Sequence, residues 1–501
     1  MEDSWIPDAI AYQVNLRSLA MREPRNAFEA MVEKPEIESA FVYVARHLPK
    51  LKKLGVNLLY LMPPFAMGLE GRKGIGSPYA IRDFTSIESE YGSEAELAEL
   101  VRKAHGHGMH VILDITPNHG SADNAWTQGH PEYFFANEDG SFRFDFDWSD
   151  TAKLNYENPD LRIAMRDALD RWLSFLGTDE EGRPAGIDGY RLDMAHMISD
   201  LSFWNETTEW LKEKHGGRQL LFLAESYGMS NNLDLFRRGI NAAYDDDLYK
   251  IWQYSYARDE NGTSVIALDD AAAENDDYAD KLAAFREGGI AGSVAKALEN
   301  YEQLFLPDPE GQRLLRYSDN HDEGRGIYRF GEAATRAISS LVFLCPHTIP
   351  MLLTGQEFGA ANRPSIHDRM GTCDKGYRSV SNHGTEWHEG IEYEGNNFAR
   401  GMDARQSWYE FYSELIKLRR KQKELTHGDF ELLDAGEQCD PQDRSVVAFA
   451  RRKGSTQLNC AVNLGPHERR LENAELFSGT VAYGGMDRDV LSAFSAIVAK
   501  G

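Results

Sequence analysis

The sequence predicts an α/β protein: a (β/α)8 TIM barrel with a subdomain inserted after the third strand and an antiparallel β domain at the C-terminus. Three observations predict it. From Ala9 onward, short apolar runs alternate with stretches of helical periodicity, the rhythm of a parallel sheet crossed by helices. Eight such runs occur, and most end in polar or charged residues, as barrel strands do where they open onto a site. Beyond residue 425 the period shortens to two: Ser445 to Ala450 and Gln457 to Asn463 alternate apolar and polar around Lys453-Gly454, as hairpins do.

In order, Ala9 to Asn15 is the first strand and Glu36 to Gly55 the helix after it, closing on a glycine. Leu58 to Met62 is the second strand, stopped by Pro63-Pro64. Ser93 and Glu96 form a capping box for a helix that runs to Gly108 and leads into the third strand, His110 to Ile115. Residues 119 to 185 begin without periodicity, rich in aromatics, Asp, Asn and Gly, and return to a helix at Asn158 to Gly177. That length is an inserted subdomain rather than a connection. Gly186 to Met194 is the fourth strand, Leu201 to His215 a helix, Leu220 to Ala224 the fifth strand, and Ile240 to Tyr244 the sixth. Residues 259 to 310 are acidic and alanine-rich, which predicts a mostly solvated helical excursion, and Asp245-Asp246-Asp247 is expected to be solvated at a strand end. Leu314 to Ser318 and Thr348 to Thr354 complete the eight, with the helix Glu332 to Cys345 between them. The helix Asp403 to Lys423, with Trp408, Phe411, Tyr412 and Leu415 on one face, closes the barrel. The expected division is barrel 1–118, inserted subdomain 119–186 ending in a barrel helix, barrel again 187–425, and a C-terminal β-sandwich domain 426–501.

The 501 residues are enough for a large barrel with attachments, and 42% of them are apolar. With 54 Lys+Arg against 80 Asp+Glu the net charge is −26, which repels nucleic acid and anionic membranes and suits a neutral ligand. Four scattered cysteines, Cys345, Cys373, Cys439 and Cys460, have neither metal-ligand spacing nor disulfide density. The chain does not open on a basic flank and apolar run, and no stretch is long enough to span a bilayer. A soluble, cytoplasmic protein is expected unless a leader was trimmed, and oligomeric state is left open.

Three carboxylates stand at three strand ends: Asp193 after the fourth, Glu225 after the fifth and Asp322 after the seventh. A single strand-terminal acid is more often a cap or an ion-pair partner. Three converging on one barrel mouth, with Arg191 two residues from Asp193, point to chemistry. Cleaving a glycosidic bond with retention needs one carboxylate to attack the sugar and one acid to protonate the leaving oxygen. Arg191 would hold Asp193 ionised, whereas Glu225, emerging from Leu220-Leu-Phe-Leu-Ala224, is expected to have a raised pKa. His105, His107 and His110 straddle a helix end and are discounted as a metal cluster.

At these positions the chain resembles the α-amylase family, glycoside hydrolase family thirteen. Asp114-Ile-Thr-Pro-Asn118-His119 is similar to its first signature, Gly189-Tyr-Arg191-Leu-Asp193 to its second, Glu225 to its third, and Asp319-Asn320-His321-Asp322 to its fourth. The resemblance implies Asp193 as nucleophile, Glu225 as general acid/base and Asp322 as the group that holds the distorted sugar. His119, His321 and Tyr79 would contact that sugar, Arg191 would orient Asp193, and Asp114 and Asn118 would support the site. Gly355-Gln-Glu357 is similar to an eighth-strand signature and is read as barrel packing. Implied substrates are α-1,4-glucans or maltooligosaccharides. A transglycosylase, or an α-glucosidase on small oligosaccharides or sucrose-like substrates, is the alternative, and a non-catalytic member would lack the carboxylates. Calcium is disfavoured: Met197 stands where calcium-holding members often place a histidine, and the loop Leu16 to Pro35 lacks an Asp-rich segment. No other cofactor is implied. Ala152-Lys153-Leu-Asn155 and Ala80 also depart from the pattern, near the expected sugar subsites.

Overall fold

The computed structural model describes residues 4–20, 39–72, 76–256, 276–304, 312–360, 377–381, 384–388 and 402–501. Eight parallel strands pair in chain order and close on themselves: β1 (Ala11–Val14), β2 (Leu58–Leu61), β3 (His110–Ile115), β4 (Gly189–Leu192), β5 (Leu221–Ala224), β6 (Ala242–Tyr244), β7 (Arg313–Arg316) and β8 (Thr348–Leu353). Their residues, all but His110, are buried on both faces, which is why they appear in sequence as near-continuous apolar runs.

The surrounding helices include α1 (Ala40–Leu54), α2 (Glu94–Gly106), α3 (Pro159–Ser174), α4 (Ser202–Lys214), α5 (Met229–Arg237), α6 (Asp246–Tyr256), α7 (Asp276–Leu304), α8 (Glu332–Leu344) and α9 (Met402–Lys421). Local chemistry sets their ends. Ser93 and Glu96 make the full capping box of α2, Asn158 caps α3 through its side chain, and Gly55 ends α1 at φ +106°. In the inserted segment, His119–Ser121 pairs antiparallel with Thr151–Lys153, so the insert is tied to the barrel where β3 ends.

Two expectations about acidic stretches are corrected. Within 259–310, the stretch that follows Gly289 is packed, not solvated. α7 kinks at Gly289 (φ +62°) and then buries Ile290, Val294, Leu298 and Tyr301 against the barrel. Asp245, Asp246 and Asp247 are buried too: Asp245 pairs with Arg316 at 2.6 Å, and Asp247 accepts from the Tyr301 hydroxyl at 3.2 Å. Residues 257–275, the loop 21–38 and Cys373 lie outside the described residues.

At the C-terminus, β9 (Asp429–Leu432), β10 (Val446–Lys453), β11 (Thr456–Asn463), β12 (Val481–Gly484) and β13 (Ala496–Lys500) form one antiparallel sheet in the order β9-β10-β11-β13-β12. Alternate residues serve different cores. Val447, Phe449, Cys460 and Val498 join the barrel's apolar cluster, whereas Val446, Ala448, Ala461 and Ile497 pack with Leu471, Phe477 and Leu491. Cys345, Cys439 and Cys460 are free thiols. Among the described residues no helix is long and apolar enough to cross a membrane.

Candidate active site

β4 approaches β5 so closely that a Cβ on Gly189 (φ +150°) would stand 1.9 Å from the Leu221 carbonyl oxygen, so only glycine fits. In the resulting register Arg191 lies between Asp114 of β3 and Leu223 of β5. Arg191 and Asp193, two residues apart, share a side. Arg191 Nη1 donates to Asp193 Oδ1 at 2.7 Å and to Asp114 Oδ1 at 2.8 Å, and Nη2 lies 2.9 Å from Glu225 Oε2. One fully buried guanidinium thus gathers three carboxyls. Its faces are covered by the rings of Tyr79 and Tyr244. Burial pushes the Asp114 carboxyl up to about 6, against Arg191 and against the hydroxyls of Tyr60 and Tyr79, each donating to Oδ2 at 2.9 Å.

The surroundings of the two principal acids differ from expectation. Glu225 does not sit in an apolar pocket: Oε2 accepts from the Met194 N–H at 3.1 Å and Oε1 from the Tyr227 hydroxyl at 2.8 Å. Met194 reaches it from a left-handed backbone conformation, φ +45°, which is strained for a non-glycine residue. Asp193 was expected to be held ionised by Arg191, and here the structure differs. Burial and the Glu225 carboxylate push its carboxyl well above the ordinary range, against the pull of Arg191.

The seventh-strand residues complete the mouth. The Gln13 amide donates to His321 Nδ1 at 2.9 Å, which leaves the proton on Nε2. That nitrogen is 2.5 Å from the Tyr79 oxygen, whose own proton goes to Asp114, and 3.0 Å from Asp322 Oδ2. Asp322 is the open acid of the set, its side chain 39% exposed. His119 is buried, and burial takes its imidazole down to about 4, so it is neutral across the physiological range. Gln356 and Glu357 pack the barrel end, as read from sequence: Gln356 Nε2 donates to Ser318 and Tyr412, and Glu357 accepts from the Tyr12 hydroxyl at 2.7 Å.

The structure therefore brings Asp193, Glu225, Asp322, Arg191, Asp114, Tyr79 and His321 into one connected network, with His119 and Asn118 at its edge on the insert. Tyr60, Tyr244, Gln13 and Tyr227 belong to it and were not singled out from sequence. A lone polar side chain within an apolar strand, as at Gln13 and Tyr60, was the available signal. Lys153 was placed near a sugar subsite, but the structure turns it inward. Its ammonium donates to Asn118 Oδ1 at 2.6 Å, Asp145 Oδ2 at 2.7 Å and the Met197 carbonyl at 2.9 Å. His105 and His110 flank Asp188, at 2.8 and 3.5 Å, at the opposite end of the barrel. Among the described residues no cluster of three or more His, Cys, Asp or Glu is placed to hold a metal.

A closed parallel barrel whose mouth presents Asp193 and Glu225 on one guanidinium, with Asp322 beside His321, defines a glycosidase. The family profile described as alpha amylase, catalytic domain, matches residues 42–139 and 131–428, and the chain belongs to the α-amylase family of glycoside hydrolases. The α-amylase MalA of Haloarcula japonica is 23% identical over 368 residues, 72% of this chain and 45% of its own length, so the chain spans less than half of that relative. Alpha-amylase 3 of Dictyoglomus thermophilum is 23% identical over 526 residues, covering 98% of this chain and 89% of that protein. Among solved structures, an α-amylase from Lactobacillus plantarum superposes with a TM-score of 0.70 at 22% identity, over 99% of both chains. At that identity the likeness establishes the fold. Between barrel and insert, the three oxygens of Asn118, Asp145 and Met197 converge on Lys153 Nζ.

Proposed function

We propose that the protein hydrolyses α-1,4-glucosidic bonds of glucans or maltooligosaccharides with retention of configuration. The observation that carries this is the single guanidinium of Arg191 in contact with both Asp193 and Glu225. It aligns the two acids and lets one be anionic while the other carries a proton. Asp193 attacks the anomeric carbon as Glu225 delivers its proton to the departing oxygen, so the C–O bond breaks and a glycosyl ester forms. Glu225, now a carboxylate, takes a proton from water, whose oxygen attacks the same carbon and releases Asp193. Asp322, the exposed acid, holds sugar hydroxyls. His119, neutral and buried, donates or accepts a hydrogen bond without adding charge to an oxocarbenium-like transition state. Tyr79 and His321 lie against each other in a stacked pair, centroids 5.4 Å apart, and form one wall for that sugar.

We further propose that the enzyme needs no calcium, because the Lys153 ammonium is the cation that ties the insert to Asn118, next to His119. The experiment that tests the function is product analysis over starch, maltooligosaccharides, isomaltose, sucrose and trehalose, with the first-formed anomer read by NMR. Maltooligosaccharides released as the α-anomer are expected. A β-anomer first product, or turnover confined to sucrose or trehalose, would overturn the proposal.

A further inference from the structure

Within the insert, Asp145 is fastened inward: its Oδ2 accepts from Asn118 Nδ2 at 2.8 Å and from the Lys153 ammonium at 2.7 Å. Three residues later Trp148 is fastened as well. Its N–H donates to the Asp145 carbonyl at 3.1 Å, and its own carbonyl accepts from the Thr151 N–H and hydroxyl at 2.9 and 2.7 Å. The tight turn between these anchors leaves Phe146 at φ +52°, the left-handed conformation that turns normally give to Gly, Asn or Asp. Phe146 is also 70% exposed, the most exposed of the protein's large hydrophobic residues that are described. Neither the backbone nor burial rewards a phenylalanine at this position.

Its ring nevertheless has defined neighbours. It meets Trp148 edge-on at 4.8 Å between centroids, and Trp148 in turn lies against His119 at 5.3 Å. A line of three rings runs from His119 at the mouth to the solvent. Strain that is held by anchored flanks and spent on exposing an aromatic next to an active site is the pattern of a binding element. A pyranose ring presents C–H groups on its faces, and a rigid aromatic surface receives them at low entropic cost.

We propose that Phe146, supported by Trp148, is a sugar-stacking platform that binds a glucose unit of an α-glucan beyond the one that reacts, and so sets preference for chain length. This rests on the proposed function of the same site. The test compares wild type with Phe146→Gly, which removes the ring and suits the backbone, and with Phe146→Trp, which keeps a ring. Steady-state kinetics are measured on maltoheptaose and on p-nitrophenyl α-glucoside, and Tm is measured for each variant. The ratio of kcat/KM for maltoheptaose to that for the glucoside is expected to fall about three- to tenfold in F146G, chiefly through KM, and to recover in F146W. Tm of F146G should equal or exceed that of wild type. An unchanged ratio in F146G overturns the platform while leaving the proposed function standing. So does an equal loss on both substrates, which would mean that Phe146 acts by holding His119 in place. A wild type inactive on both substrates overturns the proposed function, and the platform with it.

Discussion

Asp193 and Glu225 are distinguished by their partners more than by their depth. Both touch Arg191, but Asp193 also faces Asp114 on the same guanidinium nitrogen, whereas Glu225 receives a backbone N–H and a tyrosine hydroxyl. Asp193→Asn keeps shape and contacts but has no nucleophilic oxygen, and kcat on maltooligosaccharides should fall by about 10⁴-fold or more while Tm is retained. Glu225→Gln removes the proposed proton donor. Its kcat should fall by roughly 10²- to 10⁴-fold on natural glucans and far less on fluoride or nitrophenolate leaving groups, which depart without a proton. A third carboxyl offers a pH test away from the chemistry. Burial pushes Glu357 up to about 7, and its Oε2 is buried without a hydrogen-bond partner among the described residues. The folded protein holds this proton more tightly than the unfolded chain, so the group's contribution to stability is intact below the ordinary carboxylate range and is lost as pH rises toward 7. Glu357→Gln keeps an acceptor for Tyr12 and cannot ionise. Its stability relative to wild type should be near zero at pH 4 and grow to at most about 3 kcal/mol by pH 8, read as a widening Tm difference.

Among elements, β4 and its junction with the insert carry the most. Gly189→Ala would drive a methyl into the Leu221 carbonyl and part β4 from β5, and soluble, folded protein should be largely lost on expression. Lys153→Met should cost roughly 3 kcal/mol by leaving Asp145 without its cation, which a lowered Tm would report. Wild-type Tm should be unmoved by a chelator or by added calcium, and a fall on chelation would refute the metal-free junction. Elements whose ends follow local chemistry were legible in the sequence: the capping box of α2, the Asn158 cap of α3 and the β10–β11 hairpin all lie where their residues placed them. α7 was not legible as a buried helix. Its apolar stripe of Ile290, Val294, Leu298 and Tyr301 starts only after the Gly289 kink, and averaging across the break hides it beneath the acidic and alanine-rich residues. The burial of Asp245 to Asp247 was hidden for another reason: their partners Arg316 and Tyr301 come from distant parts of the chain.

At the scale of the whole molecule, the barrel was readable because strands covered on both faces must be apolar throughout, and the site because barrel strands deliver their terminal residues to one mouth. What escaped was the inward polar lining. Gln13, Tyr60 and Tyr244 meet His321, Asp114 and Arg191 only when β1, β2 and β6 close around a common axis, a condition that no local pattern encodes. The same closure makes Arg191 the hub, with Asp193, the proposed nucleophile, and Glu225, the proposed acid, on either side of it. The most direct test of that assignment is to trap the intermediate with a fluorinated α-glucosyl fluoride, whose ester is made faster than it is hydrolysed, and to digest the protein for mass spectrometry. A glucosyl adduct on the peptide that carries Asp193, absent in Asp193→Asn, is the predicted result. Turnover of the reagent with no adduct, or an adduct on Glu225 or Asp322, would contradict it.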